Sequence, residues 1–367
     1  MAAFTKEDLK RFQSETLEEK RQRSFAKIGE WYSHYNNNVF VSFSGGKDST
    51  VLADLCAEWC SIIGTPLYLL FVDTGLEYPE IKHHVKDYAE YLRKKHGIEI
   101  DLEIRRPQMR FDEVIKKYGY PIVSKEVAKV IDGARRLGEE SRFGSVCLQR
   151  LNGVLVQKSG NISLFNCQKW RRLLEADFKI AHNCCDVMKK KPSHDYIKET
   201  GRMMMTAQMA EESRLRTQRW IRHGCNGFDM ALPTSAPMSF WTEQDVLRYI
   251  KEEKLPIASV YGGVEYMFDP LQLRIDDVGI KTCGADLLCT TGVSRTGCIF
   301  CAFGLHLEKE PTRFQRLKET HPRQYEYCIG GGEYDEDGWW VPNAKGLGLG
   351  HVFDVMNSIY GDGFIKY

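Results

Sequence analysis

Val39-Phe40-Val41-Ser42-Phe43-Ser44-Gly45-Gly46-Lys47-Asp48-Ser49-Thr50 carries a compact β-rich run through a double-glycine turn into a helical pattern. Val51, Leu52, Leu55 and Trp59 then recur on one helical face. Glycines let backbone N–H groups approach an anion, and the helix that follows adds the positive end of its dipole. Ser44, Ser49 and Thr50 offer hydroxyl donors and Lys47 a point charge, so the turn has the parts of a phosphate cradle. It is not the Walker loop, which needs four residues between its first glycine and Gly-Lys. A bare Gly-Gly would read as an ordinary βα turn. The full Ser-Gly-Gly-Lys-Asp-Ser string between strand and helix reads as a site.

Outward from this turn, Leu67–Val72 is a second, almost wholly apolar run, Tyr78–Lys95 is helical, and Ile98–Ile104 is a third strand candidate. Short, continuously apolar strands suit a parallel sheet covered on both faces. Their alternation with helices predicts a doubly wound, mainly parallel α/β sheet with ligands at the C-terminal strand ends. Residues 1–35 read as one N-terminal helix, capped by Thr5 with Asp8 and packed through Leu9, Phe12, Phe25, Ile28 and Trp31. Gly119–Gly201 is helical and basic without a clear strand. Met203–Thr206 and Met230–Leu232 are short runs able to close the sheet. Thr242 opens a helix with Asp245 at the capping-box position and Pro256 beyond its end. Irregular Gly- and Cys-rich sequence follows, with an aromatic tail that includes Trp339 and Trp340. The expected division is an N-terminal helix (1–35), a nucleotide-binding α/β domain (36–235) and a helical, Cys-rich C-terminal region (236–367).

Composition narrows the function. Among 367 residues, 51 Lys+Arg balance 50 Asp+Glu, which excludes nucleic-acid binding by bulk charge and leaves only a local patch. Hydrophobic residues at 43% and charged ones at 28% exclude a disordered or fibrous chain. No apolar run approaches a membrane span, and no membrane partner is expected. The first residues are charged throughout, without a signal-peptide core, so the expected location is the cytoplasm.

In that reducing compartment, twelve cysteines point to metal or redox chemistry rather than a disulfide scaffold. Cys184 and Cys185 are adjacent, and Cys298 and Cys301 form a C-x-x-C. Four thiolates suit an iron–sulfur cluster or zinc. Zinc usually takes two spaced pairs, whereas adjacent cysteines can reach different irons of a cubane. Cys283 and Cys289 lie close enough in sequence to replace one ligand. Cys56, Cys60, Cys147, Cys167, Cys225 and Cys328 read as ordinary thiols, and nothing near Cys328 lowers its pKa.

The Ser44–Ser49 string resembles the pyrophosphate loop of the PP-loop ATP pyrophosphatase superfamily, whose fold is adenine nucleotide alpha hydrolase-like. Val72-Asp73-Thr74-Gly75 with Pro79 resembles the nucleotide-facing strand edge of the phosphoadenylyl-sulfate (PAPS) reductase family. Pro237 with Trp241-Thr242 and Asp245-Val246 resembles a further segment of that family. The resemblance implies that Ser42, Ser44, Gly45, Gly46, Lys47, Asp48, Ser49, Thr50, Asp73 and Thr74 bind the nucleotide. Lys47 would offset leaving-group charge, and Asp48 would position Mg²⁺ or the loop. Cys184-Cys185 with Lys189 and Pro192, and the distant Cys298 and Cys301, resemble the 4Fe-4S ligands of assimilatory adenylyl-sulfate reductases. In them the equivalent of Lys189 lies near both cluster and nucleotide.

Three features depart from the reductases. Met188 and Met209 stand where they carry arginines, although Glu212, Ser213 and Arg216 are kept. An apolar side chain cannot replace a guanidinium fork for sulfate or phosphate, so Arg202, Arg214 or Lys190 would have to substitute. The last residues, Tyr360–Tyr367, contain no nucleophilic cysteine. The expected activity is therefore ATP cleavage between the α- and β-phosphates, adenylating an acceptor for sulfur incorporation, as in the cluster-bearing proteins of DNA phosphorothioation and tRNA thiolation. The implied cofactors are ATP, Mg²⁺ and a 4Fe-4S cluster, and the implied partner is a cysteine desulfurase-like sulfur donor. The basic stretches Lys125–Arg136, Gln168–Arg172 and Lys189–Lys191 offer a face for nucleic acid. The alternatives are a sulfonucleotide reductase and a non-catalytic nucleotide-binding subunit.

Overall fold

A computed structural model describes residues 4–267 and 287–367. In chain order the first elements are α1 (Lys6–Gln13), α2 (Leu17–His34), β1 (Val39–Ser42), α3 (Lys47–Ile63), β2 (Leu67–Val72), α4 (Pro79–His96) and β3 (Ile100–Arg105). Next come α5 (Phe111–Tyr118), β4 (Ile122–Val123), α6 (Lys125–Leu137), α7 (Arg142–Asn152) and α8 (Lys191–Thr200). Then follow β5 (Met203–Met205), α9 (Arg214–His223), β6 (Asn226–Gly227), β7 (Thr234–Ser235) and α10 (Glu243–Glu252). By internal contacts the chain forms two interleaved units. One comprises Met1–Asp73, Glu77–Arg106 and Pro192–Thr296, and the other Thr74–Leu76, Pro107–Lys191 and Gly297–Tyr367.

The first unit holds a six-stranded sheet in the order β3-β2-β1-β5-β7-β6, parallel except for β6 against β7. The α/β class is as expected. β1 lies between β2 and β5, so strand order reverses there and a ligand crevice opens beyond its C-terminal end. Helices α3 and α4 pack on β1–β3, while Tyr196 and Ile197 of α8 cover Phe40 and Leu70. The sheet is closed by β7 and β6 rather than by Met230–Leu232. That tripeptide lies in the turn between them, because Gly227 and Pro233 bound a connection too short for a further strand.

Residues 1–35 form two helices, not one. Thr5 caps α1 with Asp8, and Thr16 opens α2 with a second capping box to Glu19. Buried Lys20 donates to Asp245 at 2.7 Å, and Trp241 Nε1 donates to Ser24 at 2.9 Å, so α2 is welded to the segment around α10. Asp54 of α3 accepts from Lys95 at 3.0 Å, His96 at 2.8 Å and the Tyr249 hydroxyl at 2.9 Å. Burial alone would raise this carboxyl, but His96 and Lys95 hold it below its usual range. Three helices are thus pinned behind the glycine turn.

In the second unit α6 packs on α7, and β4 pairs in parallel with Ala302–Phe303. The C-terminal stretch is more regular than its sequence suggests. Helices form at Arg313–Thr320, Pro322–Ile329 and Leu349–Tyr360, and a hairpin pairs Glu333–Tyr334 with Trp340–Val341. Ile365 is buried and exchanges two hydrogen bonds with Asn357, which seats residues beyond Tyr360 against the last helix. No helix among the described residues is long and apolar enough to cross a membrane.

Candidate nucleotide and thiol sites

The glycine turn leaves β1 at Phe43, whose N–H donates to Leu70 O at 2.9 Å, and enters α3 at Lys47. Gly45 sits at φ +71°, and a Cβ there would lie 2.8 Å from methyls of Ile81 and Val85, so only glycine lets the turn close on α4. The Ser44 hydroxyl lies 3.0 Å from that of Ser49, which also donates to Gly46 O at 2.9 Å. Ser42 is half-buried at the end of β1. These groups frame the start of α3, where backbone N–H groups are unsatisfied within the helix. Thr50 is placed differently: it is fully buried, and its hydroxyl faces His84 Nε2 at 3.2 Å.

Lys47 is 2% exposed, with Nζ 3.1 Å from Glu243 and 3.4 Å from Asp48. Burial alone would lower its pKa, but Asp48, Glu243 and Tyr261 raise it above the usual lysine value. Asp48 Oδ1 is buried and makes no hydrogen bond. Such a carboxylate oxygen suits Mg²⁺, which takes one or two carboxylates together with phosphate oxygens and water rather than a protein cage. Asp73 is held by Lys82 at 2.6 Å and Arg106 at 3.6 Å. Thr74 belongs to the second unit, where its hydroxyl accepts from Leu76 N at 3.2 Å.

The structure adds residues that no motif marked. The Tyr261 hydroxyl accepts from Lys47 N at 3.1 Å and lies 2.6 Å from the Thr296 hydroxyl. Both hydroxyls stand 3.3 Å from where a Gly46 Cβ would be, against the helix end that favours an anion. Arg216 is ion-paired with Glu212. Burial, then repulsion from Arg295 and Arg219, lowers its pKa, with Asp48 opposing. Arg216 therefore lies within electrostatic reach of Asp48. Of the sequence substitutes, Arg202 lies 3.6 Å over the Tyr68 ring, Lys190 pairs with Asp186 at 2.7 Å, and Arg214 is exposed. Met188 and Met209 are both buried. Tyr261 and Glu243 are far from the loop in sequence, so only the fold brings them there.

Burial holds the His84 pKa down at about 4, with Asp87 opposing weakly. The folded protein thus carries a neutral imidazole where the unfolded chain titrates near 6.5. The unfolded state binds more protons between these values, so stability is full above about 6.5 and declines as pH falls toward about 4, by roughly 3 kcal/mol in total. Urea melts across that range should show this slope in the wild type and a shallower one in His84→Asn.

In the second unit Asn183 O accepts from Asp186 N and Val187 N, which turns Cys184-Cys185 into a short π-helical segment, Asp186–Lys190. π-turns often mark functional positions. Cys301 N donates to Cys298 O at 3.0 Å, and Ile299 N donates to Leu76 O at 2.8 Å. Arg313 donates to Cys301 O at 2.9 Å. Val123, paired with Phe303, sits at φ +64°, a strained position for a β-branched residue. Burial pushes the Cys184 thiol up, and Cys298, Cys185 and Cys301 push it further. Lys189 opposes the rise at both Cys184 and Cys301. Among the described residues no three His, Cys, Asp or Glu side chains are grouped to hold a metal ion. Cys289 is on a short strand of the first unit opposite Glu265, and Cys283 lies outside the described residues.

Known proteins bear on this geometry to different degrees. An uncharacterized protein of Methanocaldococcus jannaschii is 37% identical over 90 residues, 24% of this chain and 17% of the relative's length. The NMN synthetase of Francisella tularensis is 13% identical over 88% of this chain and 100% of its own, with a TM-score of 0.34, a likeness too slight to support an inference. The model of the phosphoadenosine phosphosulfate reductase domain matches residues 38–143 and 153–302, from the first strand through Cys298 and Cys301. With that match spanning most of the chain and its glycine turn set at the reversal of strand order, the protein belongs to the phosphoadenosine phosphosulfate reductase domain family, a group of adenine-nucleotide-using enzymes.

Proposed function

We propose that this chain binds ATP with Mg²⁺ in the first unit and cleaves it between the α- and β-phosphates to adenylate an acceptor for sulfur incorporation. An acceptor oxygen attacks the α-phosphorus, the bond to the bridging oxygen breaks, and pyrophosphate leaves with its electron pair. The observation that carries this reading is the cradle at the start of α3: Gly45 at φ +71°, the Ser44–Ser49 hydroxyl pair and buried Lys47. Gly45 and Gly46 offer backbone N–H groups to the pyrophosphate, and Lys47 offsets charge developing on it. Tyr261 must yield its bond from Lys47 N when phosphate enters. Thr50 acts by fixing α3 against His84, and Asp73 edges the crevice. Asp48 would hold Mg²⁺, which would supply positive charge to offset that of the phosphates.

In the second unit, Cys184, Cys185, Cys298 and Cys301 fit the donor set of a 4Fe-4S cluster. A zinc ion would draw four sulfurs to about 2.3 Å, whereas a cubane would hold its thiolates farther apart. A cluster held there supplies electron-transfer or sulfide-binding chemistry. Lys189 would offset the negative charge of the thiolate-ligated cluster. The sulfur would come from a cysteine desulfurase-like donor in the cytoplasm.

Buried Met188 and Met209 favour this reading over sulfonucleotide reduction, since both remove arginines that would hold sulfate. Anaerobically purified protein should release pyrophosphate from ATP and Mg²⁺ in the presence of acceptor. Reductant-dependent sulfite release from a sulfonucleotide would overturn this in favour of the reductase, and neither product would indicate a non-catalytic subunit.

A further inference from the structure

The second unit contains a cavity of about 680 Å³, within the usual range of ligand sites, between the end of α5, α6 and Trp339. We propose that it takes one unstacked nucleotide of a single-stranded nucleic acid, its base on Trp339 and its phosphates on Lys117, Arg136 and Lys179. Trp339 lies beyond the family-matched residues, so the cavity is completed by a part of the chain outside that domain.

The walls combine aromatic faces with positive charge. Arg135 and Lys179 lie 5.4 and 5.8 Å from the Trp339 ring, and Lys117 lies 5.3 Å from that of Tyr118. Arg135 is fixed by donating to the carbonyls of Leu173, Leu174, Ala176 and Phe178. These four acceptors are neutral, so its charge remains in the wall. Burial lowers its pKa to about 10, with Asp132 and Asp177 opposing. Asp132 is the single carboxylate among the described lining residues, 3.7 Å from Arg136, whose side chain is 65% exposed. Trp339 itself is held by its backbone, which donates to Asp335 Oδ1 at 2.8 Å and accepts from Asp335 N at 2.9 Å.

A rigid aromatic platform ringed by cations is what a single strand requires. Every base has a face to stack, and its flanking phosphates need charge close by. An apolar ligand would leave these cations unmatched. A duplex, whose bases are already stacked, cannot use Trp339. The chain's net charge of +1 means that attraction comes from this local surface rather than from bulk charge.

The proposal stands on the second unit alone, so binding is measured on the full chain without ATP. A fluorescein-labelled oligonucleotide of about 12 bases serves as the probe, read by anisotropy. Trp339→Ala should weaken binding about tenfold or more, and Trp339→Phe should keep most of it. Lys117→Glu and Arg136→Glu, both at exposed side chains, should weaken binding and flatten its dependence on salt between about 50 and 200 mM. Unchanged affinity in Trp339→Ala and in both charge variants, with unchanged melting, would overturn the proposal. Equal affinity for a duplex, or full competition by AMP at stoichiometric concentration, would also overturn it, the latter by assigning the cavity to a free nucleotide.

Discussion

Lys47→Ala should lower pyrophosphate release by about 10²–10³-fold, the cost of deleting a preorganised charge from the site where anionic charge develops. The ammonium is buried and already charged before substrate arrives, held so by Asp48 and Glu243. It needs no proton and little reorganisation to meet phosphate, whereas an exposed lysine would first shed water. The same substitution leaves the two carboxylates facing each other without their cation. Breaking a buried pair costs about 3–5 kcal/mol, and the partial exposure of both partners places the expected loss at or below the low end. A melt therefore accompanies the rate measurement. Lys47→Arg restores charge without the same reach, so it should recover stability more than rate. A folded Lys47→Ala protein releasing pyrophosphate at the wild-type rate would remove Lys47 from the mechanism.

The second large effect is expected in the other unit. Anaerobically purified wild-type protein should be brown and carry about four iron atoms per chain. Cys184→Ser should lose most of both, because its thiol is the most enclosed of the four and feels the other three. Cys289→Ser and Cys283→Ser should keep colour and iron. Iron content and absorbance report on the ligands whether or not the enzyme turns over. A colourless protein loaded with zinc would exclude the cluster. Loss of colour in Cys289→Ser would reassign a ligand.

The α/β class and the glycine turn were legible because their signals are local. Val39–Val41 and Leu67–Val72 are almost wholly apolar, as strands of a covered parallel sheet are, and Gly45 is required where φ is positive. The family resemblance from about residue 35 to 305 rests on such contiguous strings, and the family match spans 38–302 with one gap. Element ends were less legible. The break between α1 and α2 turns on a single capping threonine, Thr16, within a stretch that is amphipathic on both sides. Two-residue strands such as Thr234–Ser235 are too short to carry a period and form because neighbouring strands offer them partners.

By itself, then, the sequence determined the α/β class, the strand–glycine turn–helix unit and the pair of cysteine motifs. Each is encoded in residues adjacent along the chain, where spacing and backbone conformation suffice. Only the tertiary structure decided that Tyr261 and Thr296 lie against the Gly46–Lys47 end of α3, that Glu243 completes the charge around Lys47, and that Thr50 turns inward to His84. It also decided that Trp339 meets Arg135 in the wall of one cavity. These pairings join residues far apart in the chain. They arise because burial of the apolar faces fixes where distant loops end, a result of packing the whole unit that no local pattern contains.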